Sequence, residues 1–264
     1  MELSRRLLFH FLQACVLLCL CCTPSRVEAG EGKLEDSLNR ADTLYQTHHL
    51  APGRYEEAIR LYEEVLALRP EDYTLLWKLS DMYENYGEML DDDQKERKIA
   101  YWEKGAEYGR RAVESNPEGK EGHFFYMANM GASARIRGAW TSFWKFRRIK
   151  KEMDRTLELD PDYPPALVAR AQYLTEMPAI FGGDEQEAVR LYERALELDP
   201  GFIVALYYLA TLDARHGRYE EALTKLEGVL KCKDPWNKGH MEKIVRPWCE
   251  ELRREILKAA AEEP

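Results

Sequence analysis

The chain has 264 residues, of which 45% are hydrophobic and 32% are charged, and its formal net charge is −9 at pH 7. This composition is typical of an acidic globular protein with enough apolar residues to form a core. It disfavours nucleic acid as a partner, because nucleic-acid binding depends on basic surfaces.

The first 29 residues are predicted to be an export signal. Arg5 and Arg6 precede an apolar stretch over residues 7–22, and a small-x-small motif ends at Ala29. This stretch is short for a membrane span of about 20 residues. We therefore expect cleavage after Ala29 and a periplasmic or secreted protein, with residues 30–38 as a short linker. A membrane anchor retained through residues 7–22, or lipidation at Cys15, would be the only source of membrane contact.

An exact internal repeat predicts the architecture of the remaining chain. The hexapeptide Gly53–Ala58 returns letter for letter as Gly217–Ala222, and each copy continues into an apolar helical pattern. Prolines end the successive units, at Pro70, Pro117, Pro161, Pro200 and Pro235. A single helical hairpin cannot bury its apolar face alone, so the units must stack into an array.

These units resemble the tetratricopeptide repeat (TPR). The resemblance rests on Ala58, Tyr62, Val65, Pro70, Leu76, Trp77, Leu79 and Tyr83, and again on Ala188, Tyr192, Ala195, Pro200, Leu209, Ala210, Gly217, Ala222 and Val229. It implies an all-α solenoid of about five helix pairs over residues 39–235, with a C-terminal capping helix in residues 236–264. It also implies that Ala188 and Ala222 are buried where paired helices cross.

The resemblance implies a binding surface on the inner side of the array, formed by the first helix of each unit. The binding residues expected from it are Trp77, Asp81, Asn85, Phe124, Gln172, Tyr207, Thr211 and Arg215. Such a surface is suited to a protein or peptide partner, with a small hydrophobic ligand as a further possibility.

One segment departs from the acidic character of the chain. No acidic residue lies between Glu121 and Glu152, whereas cations and aromatic residues are frequent there, among them Trp140, Trp144, Arg147 and Arg148. One interpretation is that the aromatic residues fill the repeat while the cations are solvated. The other is a contact site for an acidic partner, an anionic ligand or lipid head groups.

Cysteine usage leaves one pair to consider after removal of the signal. Cys232 and Cys249 could form a disulfide in an exported protein if the last helix begins at Pro247. A single helix from Gly239 through Cys249 would instead separate them by about 15 Å, beyond the ~7 Å limit for their Cα atoms. The sequence leaves both outcomes open.

No catalytic signature is present, so we expect neither an enzyme nor a cofactor or metal. The favoured function is an exported TPR scaffold of the bacterial cell envelope that mediates protein–protein interaction.

The alternative rests on phrases between Trp144 and Ala195, including Asp160-Pro161, Met177-Pro178 and Gly182-Gly183-Asp184. They resemble the periplasmic T component of TRAP transporters, which implies ligand handling in a central hydrophobic cavity. The same phrases resemble, more loosely, eukaryotic regulators of microtubule dynamics.

Overall fold

The computed structural model describes residues 24–51, 53–137 and 143–262, and over these ranges the chain is helical and contains no strand. The long helices are α1 Pro24–Gln46, α2 Arg54–Leu68, α3 Tyr73–Met89, α4 Lys95–Ser115, α5 Lys120–Arg137, α6 Phe143–Leu159, α7 Pro164–Glu176, α8 Glu185–Leu198, α9 Val204–Arg215 and α10 Tyr219–Lys231. They are followed by α11 Lys238–His240, a π-helical turn Met241–Val245 and α12 Arg246–Glu262. Short 3₁₀ turns cover His48–Leu50 and Ala179–Phe181. None of the helices described combines the length and apolar character of a bilayer span.

Consecutive helices pack as five pairs, from α1 with α2 to α9 with α10, and the C-terminal helix packs on α10. This confirms the predicted all-α array of five helix pairs with a capping helix. The unit-ending prolines follow the second helix of each pair, as expected, because proline cannot continue the hydrogen-bond ladder of a helix.

The repeated hexapeptide adopts the same structure in both copies. Gly53 and Gly217 have φ values of 80° and 72°, in the left-handed region that glycine tolerates, and a helix follows each. Ala58 and Ala222 are fully buried, and so is Ala188 in α8. The prediction that Ala188 and Ala222 lie in the packed interior is thus confirmed.

Helix α1 includes residues 30–38, which were expected to form a linker. Leu34 and Leu38 pack against the first core cluster, where Ala41 is fully buried. Their spacing of three and four residues is that of an apolar helix face, so this segment is the first helix of the first pair. The predicted cleavage position lies within α1, while residues 1–23, including Cys15, lie outside the described residues.

Two glycines in α4 allow α3, α4 and α5 to approach closely. A Cβ on Gly109 would lie 2.6 Å from the Cα of Tyr126, and one on Gly105 would overlap the Asn129 side chain. The buried Asn129 amide donates to the carbonyls of Ser80 (2.9 Å) and Phe125 (2.9 Å). The glycines that depart from the repeat pattern are therefore explained by helix packing.

The last helical segment runs without a break from Lys238 to Glu262. Cys232 and Cys249 are both free thiols, so the disulfide considered from the sequence is not formed in the structure. Helical structure begins at Lys238, before Pro247, as the sequence alternative described, and Cys232 packs against the core cluster that contains Cys249. Cys249 is instead fully buried in the core between α10 and α12.

This segment also contacts the opposite end of the array. The imidazole Nδ1 of His240 lies 3.0 Å from Oδ1 of Asn85 in α3. Gly239 is buried against the ring of His48, which a Cβ at this position would overlap. The last repeat is thereby brought onto the first, and the inner side of the array is closed along this line.

Substitution of Gly109 tests the close approach of α4 and α5. Gly109→Ala should destabilise the protein by about 1–3 kcal/mol, because the new methyl group meets the backbone of Tyr126. Gly131→Ala is the matched control in α5, where nothing lies within 4 Å of the added Cβ. It should stabilise the helix by about 0.5–1 kcal/mol. Urea unfolding measures both, and equal effects of the two substitutions would contradict the packing described.

Candidate functional site

The inner side of the array encloses a cavity of about 460 Å³, a volume within the usual range of small-molecule sites. Its wall comes from helices α3, α5, α7 and α9, the first helices of their pairs, together with α6 and the C-terminal segment. The apolar lining comprises Phe124, Phe125, Met127, Phe146, Ile149, Met153, Val168, Phe202, Ile203, Met241, Val245 and Trp248, among others. We call this space the inner cavity.

One part of the inner cavity is acidic. Asp81, Glu84 and Glu88 lie on one face of α3, at spacings of three and four residues, and all line the cavity. Arg135 is the single Lys or Arg in the described lining, and it is paired with Glu88 at 2.6 Å. The carboxylate of Asp81 accepts hydrogen bonds from Tyr45 Oη (2.5 Å) and Asn85 Nδ2 (2.6 Å). Glu84 has no ion-pair or side-chain hydrogen-bond partner among the described residues.

The pKa values of Asp81 and Glu84 are both raised, chiefly by burial. Burial raises the pKa of Asp81 to about 7, although the hydrogen bonds from Tyr45 and Asn85 and the charge of Lys78 act in the opposite direction. Burial also raises the pKa of Glu84, and the nearby Glu88 and Asp81 raise it further, while the charge of Arg135 acts in the opposite direction. The site would therefore be stabilised in its ionised form by an added positive charge.

Only some of the residues expected to form the binding surface line the inner cavity. Asp81, Asn85, Phe124 and Gln172 line the inner cavity. Trp77 does not, because its ring stacks on Phe125 at 5.9 Å between α3 and α5.

The remaining members of that set lie on α9, outside the described lining. Tyr207 packs against Trp248 of α12, with the ring centroids 5.6 Å apart, so the capping helix covers this part of α9. Thr211 donates to the carbonyl of Tyr207 in its own helix, and Arg215 is exposed. Trp248 and His240 reach the cavity from the C-terminal segment, which sequence reasoning did not assign to the inner side.

Helix α6 has one face towards the inner cavity and one towards solvent. Phe146, Ile149 and Met153 line the cavity. Arg147, Arg148, Lys151 and Arg155 lie on the opposite side and Lys150 lies at its edge, and we call these five residues the basic face. Arg147 and Lys151 thus lie on the side of the helix away from Phe146. Trp140 lies outside the described residues, as does the side chain of Trp144, so their part in this segment stays a prediction.

The cations of the basic face differ in their partners. Arg148 is paired with Glu152 (2.6 Å) and Lys150 with Asp154 (2.5 Å). Arg155 is paired with Glu118 and Glu158. Within the described ranges, Arg147 and Lys151 have no ion pair within 4 Å and are exposed. They are therefore the members available to another molecule.

A buried ion pair holds α6 against α5 beneath the basic face. The ring of His123 points Nδ1 at a carboxylate oxygen of Glu152 (2.5 Å) and Nε2 at the carbonyl of Pro117 (2.9 Å). Both neighbours are acceptors, so the doubly protonated imidazolium satisfies both. Burial opposes that charge, but the hydrogen bonds that His123 donates to Glu152 and Pro117 outweigh it and raise the pKa of His123. Burial likewise opposes ionisation of Glu152, yet His123 and Arg148 lower its pKa. Sequence reasoning missed this pair because 29 residues separate its members.

The His123–Glu152 pair predicts a pH window of stability. Because the pKa of His123 is raised in the folded protein, the stability that its charge contributes is fully present below pH 6.5, the ordinary pKa of histidine. That contribution is lost as pH rises through the pKa of the folded state. Because the pKa of Glu152 is lowered in the folded protein, the stability that its carboxylate contributes is present above pH 4.5, the ordinary pKa of glutamate. That contribution is lost as pH falls through the pKa of the folded state. His123→Gln should therefore cost roughly 1.5–3 kcal/mol between these limits, and less as pH rises through the raised pKa of His123.

The matched control is His216→Gln, which removes an exposed partner of Glu185. It should cost about 0–1 kcal/mol. Unfolding free energies from pH 4 to 9 measure both variants. A cost for His123→Gln that is independent of pH would contradict a charged pair.

Comparison with known families gives two matches. Residues 37–177 match the profile of the family described as regulator of microtubule dynamics protein 1-3. Residues 182–236 match a profile of the tetratricopeptide repeat. The first match covers more than half of the chain and includes α6 with its basic face. No curated protein matched the chain.

The solved structures that match the chain include two that are described as TPR proteins. A thermophilic TPR protein of Thermus thermophilus is 21% identical, with a TM-score of 0.59 over 83% of this chain and 98% of its own. YrrB, described as a TPR protein with an unusual peptide-binding site, is 13% identical, with a TM-score of 0.43 over 87% of this chain and 96% of its own. MamA from Desulfovibrio magneticus is 15% identical, with a TM-score of 0.39 over 79% and 96%. At these identities the Thermus protein supports the fold alone, and the other two carry no further argument.

Proposed function

The chain belongs to the regulator of microtubule dynamics protein 1-3 family, and from this membership we propose that it acts on microtubule dynamics as a non-enzymatic scaffold. TPR proteins are in general scaffolds for protein–protein interaction. The proposed contact is the basic face of α6, and its partner is an acidic protein surface. The observation that carries this proposal is the pair of exposed, unpartnered cations Arg147 and Lys151 within the matched region.

Charge complementarity supports an acidic partner despite the negative charge of the whole chain. The surface hollow that contains the basic face is lined by five cations and three carboxylates. At physiological salt the Debye length is about 8 Å, so acidic residues elsewhere on the protein are largely screened from a partner at this surface. The local excess of positive charge therefore decides the attraction.

Reversal of the two unpartnered cations tests the contact. Arg147→Glu with Lys151→Glu should abolish sedimentation of the protein with polymerised tubulin, because attraction becomes repulsion. Arg148 is left unchanged, since its partner Glu152 is buried and also holds His123. Binding of the wild-type protein should weaken from 0.1 M to 1 M salt, as the Debye length falls from about 10 Å to about 3 Å.

The matched control is Arg254→Glu with Lys258→Glu on α12, which has the same four-residue spacing, exposure and charge change. It should sediment like the wild-type protein. Equal loss of tubulin binding in both double variants would show that only the net charge of the protein matters. Undiminished binding of the α6 variant would show that the basic face is not the contact. Circular dichroism checks that both variants keep their helices.

Export of the chain is a separate proposal, supported by the order of charged, apolar and small residues in its first 29 positions. Amino-terminal sequencing of the protein from its native cell should then begin at Gly30. An intact Met1 would contradict cleavage and favour the retained segment, and a lipid-modified Cys15 would favour the lipidated form.

The alternative proposal, a transporter T component in the cell envelope, draws its support from the inner cavity. A central cavity with apolar walls is what the resemblance implies for ligand handling. The family that the chain matches is described by microtubule dynamics and not by transport. We therefore prefer the scaffold function.

A further inference from the structure

The inner cavity is unusual in combining a continuous apolar wall with an excess of carboxyl groups. Four carboxyl side chains line it, from Asp81, Glu84, Glu88 and Glu176, against the single guanidinium of Arg135. Asp81 is buried and Glu84 and Glu88 are half-buried, and removing a carboxylate from water without a compensating charge is costly. The composition therefore points to a ligand that supplies the missing positive charge.

The carboxyl groups are not equivalent, and their contacts identify one that is available. Asp81 accepts hydrogen bonds from Tyr45 and Asn85, and Glu88 forms an ion pair with Arg135. Glu176 lines the cavity but is exposed to solvent. Glu84 lies between Asp81 and Glu88 on the same face of α3, and no described side chain donates a hydrogen bond to it.

We propose that the inner cavity is a binding site for an amphipathic amine, whose ammonium group pairs with Glu84 and whose apolar body lies along the wall. The wall near the last repeats supplies Phe202, Ile203 and Trp248, and the wall near α6 supplies Ile149 and Met153. A metal ion is a poorer occupant, because it would leave this apolar wall unused, and the described residues hold no group of metal-binding side chains. An anionic amphiphile is disfavoured by four carboxyl groups.

The site and the basic face are formed by different residues. Glu84 and the apolar lining face inwards, whereas Arg147 and Lys151 are on the outer side of α6. Failure of tubulin binding would therefore leave this inference intact, and failure of amine binding would leave the scaffold function intact.

A series of head groups on one chain tests the ligand class. The probes are octylamine, octanol and octanoate, titrated at pH 8 into the full-length protein and followed by calorimetry and by tryptophan fluorescence, since Trp248 and Trp236 line the cavity. Octylamine should bind with one-to-one stoichiometry and roughly tenfold or more tighter than octanol, the ratio expected for a charge-assisted hydrogen bond. Octanoate should bind most weakly. Equal affinity of the three probes, or no saturable binding of octylamine, would overturn the proposal.

Substitution of Glu84 tests the residue that is assigned to the head group. Glu84→Gln should remove the preference for octylamine over octanol while leaving octanol binding unchanged. Glu107→Gln makes the same chemical change at an exposed position of α4 outside the lining, and it should leave the preference intact. A preference retained in Glu84→Gln would exclude this carboxylate as the partner of the amine.

A second variant blocks the cavity without relying on the acidic group. Gly131 lines the cavity, and nothing lies within 4 Å of a Cβ at that position, so Gly131→Phe can place its ring in the empty space. It should abolish binding of octylamine and octanol while the helical circular-dichroism spectrum is kept. Gly32→Phe is the control, because Gly32 in α1 is exposed and has similarly open space. Wild-type affinity in Gly131→Phe would show that the amine binds elsewhere.

Discussion

The contact between the last helical segment and the first repeat is the constraint on which the inner cavity depends. A TPR array has no intrinsic need to close, because each repeat packs on its neighbours alone. Here the π-helical turn places Met241, Ile244 and Val245 in the interior with 4% exposure or less. Burial, with His48 nearby, lowers the pKa of His240 to about 4, so this imidazole is neutral at physiological pH. A neutral ring can lie beside His48 and Asn85 without charge repulsion, which allows the inner side to stay closed.

Most of the fold could be predicted from the sequence, because its determinants are local and repeated. The glycines at 53 and 217 fix the turn before a helix, and the following alanines fix the helix crossing. The exception is α1. Leu34 and Leu38 have helical spacing, but their position directly after an apparent signal segment led to their assignment to a linker. Helix α1 lies before the repeated hexapeptide, so its role in the first pair is recognised only when α2 is packed against it.

The candidate site was less predictable, because its details arise from contacts between distant residues. The inner positions of α3, α5 and α7 were identified correctly for Asp81, Phe124 and Gln172, since the first helix of each repeat has a fixed orientation. The ring of Trp77 packs against Phe125, 48 residues away in sequence, and the ring of Tyr207 packs against Trp248, 41 residues away. No periodicity within one helix reveals such a contact, and none indicates that the capping helix covers the inner side.

Helix α6 forms part of the cavity wall with Ile149 and Met153 and carries Arg147 and Lys151 on its other side. A rigid helix cannot shift one face without shifting the other. If an occupant of the cavity favours one position of α6, and a molecule on the outer face favours the same position, each must strengthen the binding of the other by the same factor. Their thermodynamic coupling would then be a property of one helix, without a relay of residues across the protein.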